Sequence, residues 1–222
     1  MAPSVKYWLR LAGEAIYPRK CTACGISIDD GCFCAACRRN FVLSKKTAHF
    51  YNDEGGLDEA IFLYKYRDHL QDMLHDVKFN KNAGSLPLLA EEAALALPRR
   101  RQQLTAHYDV ISSIPTSPER RRQRGFDIPR EIFSCLHGAK WRDDLLVRTR
   151  HTLPLFNLEP AMRRDELTGC FSLNADVRGR RVLLCDDIFT TGSTMQEAAR
   201  LLKAAGAARV TALAFAASRD NW

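Results

Sequence analysis

Apolar and polar positions alternate along this chain in two periods. Short apolar runs of strand length occur at Ala48 to Tyr51, Ala60 to Tyr66, Tyr108 to Ile114, Leu145 to Arg148, Phe171 to Leu173, Val182 to Cys185 and Val210 to Ala217. Between them lie stretches of helical period: residues 4–16, with Val5, Trp8, Leu9, Ala12, Ala15 and Ile16 on one face, then Asp68 to Val77, Leu86 to Leu97 and Pro129 to Leu136. The last helix begins near Met195 and carries Ala198, Ala199, Leu202 and Ala205 on its apolar stripe, with Gly206 as the C′ residue that ends it. Residues 52–56 read as the turn of a hairpin, and the polar segment 150–166 as a long functional loop. Strand and helix alternate from residue 108 onward, which predicts an α/β fold with a parallel sheet flanked by helices.

The most informative junction follows Val182–Cys185. Two acids, Asp186 and Asp187, are followed by the hydroxyl-rich loop Thr190, Thr191, Gly192, Ser193, Thr194, and then by the last helix. A strand that feeds a helix through a tight loop aims backbone N–H groups and the helix N-terminus at one spot, which suits a phosphate. The hydroxyls add donors, and Gly192 lets the backbone come close. Two carboxylates would repel that phosphate, so they are assigned to vicinal sugar hydroxyls with Mg²⁺ nearby. The chemistry that fits is a ribose 5-phosphate. A buried strand with a polar turn is the plain alternative. A Walker-type ATPase is excluded because no G-x-x-x-x-G-K-[ST] occurs. A receiver domain is excluded because only 36 residues follow Asp186.

The cysteines change the picture at the other end. Cys21-Thr-Ala-Cys24 and Cys34-Ala-Ala-Cys37 form two C-x-x-C knuckles nine residues apart. This spacing predicts a closed four-cysteine structural zinc site with no catalytic role for the metal. Redox cysteines are the alternative. Cys32 is assigned to packing, and Cys135, Cys170 and Cys185 to the core. The domain reading is a helix and four-cysteine module over residues 1–46 and an α/β domain over 47–222.

The net charge of +7 falls to about +5 if four thiolates and one Zn²⁺ are counted, a modest hint of anionic partners. Part of that charge is concentrated in Glu119-Arg-Arg-Arg-Gln-Arg124, expected in a loop at the carboxyl ends of the strands. Arg121, Arg122 and Arg124 are candidates for contact with a pyrophosphate or a nucleic-acid backbone, against the alternative of a solvated turn. The run Arg99 to Arg101 reads as the solvated C-terminal end of the preceding helix. Tyr51, Tyr64 and Tyr66 suit the core, with base stacking as the alternative. No apolar run reaches the length of a membrane span, and Lys6, Arg10 and Glu14 interrupt any secretory signal, so a cytoplasmic protein is expected.

The order of these motifs resembles the ComF competence family. The shared features are the four-cysteine knuckle, a helix ending in Lys78-Phe79, a strand followed by Pro115-x-x-Pro118, Arg121-x-x-Arg124-Gly125-Phe126, and the terminal acid–hydroxyl loop. That loop also resembles the phosphoribosyl pyrophosphate signature of type I phosphoribosyltransferases. Asp127 stands where the family usually has Asn. The resemblance implies a type I phosphoribosyltransferase-like fold with a zinc-ribbon-like module. It also implies a role in natural transformation, handling incoming single-stranded DNA beside DNA-processing proteins. A working phosphoribosyltransferase, with Mg²⁺ and phosphoribosyl pyrophosphate, is the alternative; no acceptor-base pocket is identifiable.

Overall fold

The computed structural model describes residues 18–41, 43, 47–50, 56–80, 82–97, 100–149 and 168–218. The expected helix at 4–16, residues 51–55 at the end of the first expected strand and in its turn, and the whole loop at 150–166 lie outside them. In chain order the elements are α1 (Ala35–Asn40), β1 (Thr47–His49), β2 (Glu59–Lys65), α2 (Asp68–Phe79), α3 (Leu86–Ala96), α4 (Arg100–His107), β3 (Val110–Ser113), α5 (Pro118–Arg124), α6 (Ile128–Ile132), β4 (Leu146–Arg148), β5 (Phe171–Leu173), β6 (Arg181–Phe189), α7 (Ser193–Ala204) and β7 (Arg209–Ala217).

The main sheet has the order β1-β2-β7-β6-β3, antiparallel at β1–β2 and parallel elsewhere. Its central strands read as unbroken apolar runs because both faces are covered. Along β6, Leu183 and Cys185 join the core beneath α2, α3 and α6. Val182 and Leu184 join the core beneath α7. The expected alternation is therefore present as a mixed α/β molecule with a mostly parallel sheet between helices. β4 and β5 form a separate antiparallel pair. α7 ends as its sequence predicts: Gly206, at φ +90°, sends its N–H to Lys203, and Ala207 sends its N–H to Leu202.

Three expectations need correction. The strand that carries the acids does not stop at Cys185. β7 continues alongside and pairs Asp186 with Ala214, Ile188 with Ala216 and Phe189 with Ala217, so both acids lie inside β6. The arginine run is not a loop but the helix α5. Ser117 accepts the N–H of Arg120 as its cap, and Pro118 fits the first turn, where no N–H is needed. Arg100 and Arg101 do not end a helix; they open α4, whose Arg, Gln and Leu residues are good helix formers.

Candidate functional site

At the carboxyl end of β6 the two acids share a strand end rather than a face, as adjacent strand residues must. Asp187 follows Cys185 toward α2 and is nearly buried. Lys78, at the end of α2, donates to Asp187 Oδ1 at 2.9 Å. Asp186 accepts the backbone N–H of Asp187 at 2.9 Å. Removal from water, and then the charge of Asp187, push the Asp186 carboxyl well above the usual range, although Lys78 and that N–H pull the other way.

One residue past β6 the loop begins. Thr190 and Thr191 are exposed, and Gly192 is buried at φ +76°. A Cβ on Gly192 would lie 2.4 Å from the Phe189 ring, so the glycine is demanded by the packing beneath it as well as by its backbone. Thr191 Oγ1 and Ser193 Oγ are 2.8 Å apart and bonded to each other. Gly192 is the N-cap of α7 and supplies no side-chain oxygen to that end; the first helix amide, that of Ser193, instead donates to Thr191 Oγ1 at 3.4 Å. Amides and hydroxyls at a helix N-terminus form an anion-binding arrangement.

The three candidate arginines separate. Arg121 and Arg122 are exposed on α5. Arg124 is half-buried, donates to the Lys78 carbonyl at 2.8 Å, and lies near enough to Asp187 to interact with its charge. Asp127 is buried and serves structure: it accepts the Thr116 N–H at 3.1 Å and caps α6 through the Arg130 N–H at 3.4 Å. Burial pushes its carboxyl up. Lys78, named from the sequence only as part of the Lys78-Phe79 helix end, is the residue whose place in the site sequence reasoning missed. A lysine in the last turn of a helix is adequately explained by the helix dipole, and its partner is 109 positions away.

The second constellation is the cysteine centre. The Sγ atoms of Cys21, Cys24, Cys34 and Cys37 all lie within 4.8 Å of one another. Cys24 and Cys34 are 3.8 Å apart, and a tetrahedral Zn²⁺ with bonds of about 2.3 Å needs sulfurs about 3.8 Å apart. The donor set and spacing fit zinc. Burial opposes ionisation of Cys21, but backbone hydrogen bonds from Cys34, Ala23 and Cys24 outweigh it and bring the thiol down to about 6. Its neighbours Cys24 and Cys34 push Cys37 up to about 12. Cys32 stands apart from the cluster and is buried, as its packing assignment requires.

Behind this centre, Glu92 on α3 is fully buried. Its carboxylate accepts the Cys32 N–H at 3.1 Å, the Tyr64 hydroxyl at 3.0 Å and two donors of Arg38, Nε on Oε1 and Nη2 on Oε2. Tyr64, one of the tyrosines with two readings, thus belongs to the core. The place of Glu92, three residues past Leu89 and six past Leu86, puts it, rather than Glu91, on the inward stripe of α3.

Comparison with known proteins agrees with this architecture. Residues 143–222 match the phosphoribosyl transferase domain family. The chain is 32% identical over 150 residues to the DNA utilization protein YhgH of Escherichia coli K12, covering 65% of this chain and 66% of that protein, just under two thirds. It is 26% identical over 197 residues to Competence protein F of Haemophilus influenzae, covering 84% and 85%. It is 26% identical over 152 residues to Competence protein ComFC of Bacillus subtilis, covering 66% and 58%. With a cysteine centre ahead of a phosphoribosyltransferase-like sheet, these similarities support a ComF-family phosphoribosyltransferase-like protein.

Proposed function

We propose that this protein binds a phosphorylated ribose of the phosphoribosyl pyrophosphate class and acts in competence-related DNA use by handling internalised single-stranded DNA in the cytoplasm. The observation that carries the reading is the β6–α7 junction. There an acid pair and a helix N-terminus whose N-cap has no side chain, flanked by the mutually bonded Thr191 and Ser193 hydroxyls, lie within eight residues of each other. Asp186 and Asp187 hold the ribose hydroxyls. Thr190, Thr191, Gly192, Ser193 and Thr194 hold the 5-phosphate, with the Thr191–Ser193 hydroxyl pair opening to admit it. Arg124 faces the pyrophosphate, while exposed Arg121 and Arg122 face a nucleic-acid backbone. Zn²⁺ at the cysteine centre is structural. The relatives named for DNA utilization and competence support the biological half of the reading.

The match to the phosphoribosyl transferase domain favours a second reading, in which the protein also transfers the phosphoribosyl group to a base. Bound Mg²⁺ would then neutralise charge on the leaving pyrophosphate. The chain's own groups would fix the sugar and stabilise that charge through Arg124. Calorimetric titration with phosphoribosyl pyrophosphate, oligonucleotide binding at two salt concentrations, and pyrophosphate release across a nucleobase panel test both readings. Absence of sugar-phosphate binding ends the first half of the proposal. Absence of single-strand binding ends the second half, and pyrophosphate release that depends on a base establishes the enzyme.

A further inference from the structure

No helix among the described residues is long and apolar enough to cross a membrane. A charged side chain from the end of α2 occupies the proposed site. Lys78 Nζ lies 2.9 Å from Oδ1 of Asp187, whose side chain is 8% exposed. The lysine is held from both sides: Val77 before it is fully buried, and Arg124 donates to the Lys78 carbonyl at 2.8 Å. A rigid helix end therefore delivers the ammonium to the acid. Arg124, Tyr66, Asp127 and Asp186 surround the same carboxylate.

Paired carboxylate oxygens at a strand end are the donors a hard divalent cation takes. Here one of them already carries the protein's own positive charge. A metal ion arriving alone must break an ion pair that is mostly shielded from water, and it brings no anion of its own to receive the displaced ammonium. An arriving sugar phosphate does offer one. A lysine, with three donors on a flexible stem, can turn from carboxylate to phosphate.

We propose that Lys78 is a built-in counter-ion that keeps free divalent cations off Asp187 and yields its place only when an anionic sugar phosphate enters. The inference rests on the sugar-phosphate reading of this site and adds to it an order of binding.

The test uses full-length, zinc-loaded protein, so that the cysteine centre is filled, and follows free Mn²⁺ by electron paramagnetic resonance without any sugar present. Wild type and Lys78→Arg should leave Mn²⁺ free at concentrations where Lys78→Met and Lys78→Gln bind it at least tenfold more tightly. Asp187→Asn placed in the Lys78→Met background should abolish that gain. Circular dichroism checks that each variant is folded. Two results overturn the proposal: folded neutral variants that bind Mn²⁺ no better than wild type, or a tight Mn²⁺ site in sugar-free wild type that Asp187→Asn removes. The second result needs no Lys78 variant to fold. A separate titration of wild type with phosphoribosyl pyrophosphate keeps the two ideas apart. If it shows no binding while the Lys78 series behaves as stated, the sugar-phosphate reading falls and the exclusion of metal by Lys78 stands.

Discussion

Gly192 answers to two demands at once, a left-handed backbone and a phenyl ring directly beneath it. Gly206 answers to one: its φ is +90°, but a Cβ there would meet nothing nearer than 3.4 Å. Replacing Gly206 by Ala should therefore cost only the left-handed strain, about 1–2 kcal/mol. Gly192→Ala should cost that and a repacking cost of about 1–3 kcal/mol more, because Phe189 must move. Urea unfolding of the two variants side by side checks the difference, and equal losses would mean that the ring yields freely. Asp186 gives a prediction in pH. Its carboxyl is raised in the folded state by burial and by Asp187. The folded protein then holds a proton that the unfolded chain releases, so this group costs stability as pH rises from the ordinary carboxylate range through the raised value. Asp186→Asn keeps an oxygen for the Asp187 N–H and removes the cost. Its urea midpoint should exceed wild type at pH 8, and the gap should close toward pH 4.

At the scale of elements, α5 divides one arginine run between two duties. Arg124 turns back onto α2, while Arg121 and Arg122 face solvent. If the exposed pair neutralises two phosphates of a single strand, replacing both by Ala should flatten the slope of log K against log salt by about 1.4. Arg124→Ala should leave that slope alone and weaken phosphoribosyl pyrophosphate. Filter binding across a salt series and calorimetry read the two effects separately. The same division shows what was legible beforehand. The β6–α7 junction could be read because its strand, acids, loop and helix are contiguous, and each local signal agrees with the next. The cysteine centre could be read because two knuckles carry their own spacing. The helical state of the arginine run was open to reading in Ser117-Pro118, a cap and a first-turn proline, but four crowded charges suggested a loop. The roles of Lys78 and Glu92 were not legible, because each is defined by partners far away in sequence.

At the scale of the whole molecule, the cysteine centre is part of one of the two cores that the described residues form, the one beneath α2, α3 and α6. Cys21, Cys32, Phe33 and Phe41 belong to the same core as Leu70 and Leu74 of α2, Leu89 of α3 and Leu213 of β7. The ties to Glu92 run the same way: Arg38 lies one residue past Cys37, Cys32 lies between the two knuckles, and Tyr64 lies on β2. A metal that fixes the knuckles thus also fixes the donors that neutralise a fully buried carboxylate on α3. Removing zinc should then unfold more than the module. Chelation should lower the melting temperature of the whole protein, and amide exchange should quicken in α3 and β2 as well as around the cysteines, because a ligand that binds only the folded state stabilises everything that unfolds with it. Arg38→Met leaves the cysteines intact and takes away the main counter-charge of Glu92, at a cost of about 3 kcal/mol. It should reproduce the faster exchange in α3 and β2 while zinc stays bound. If chelation instead quickens exchange only at residues 19–41 and leaves α3 and β2 protected, the centre stabilises itself alone and the buried carboxylate is held by the α/β body without it.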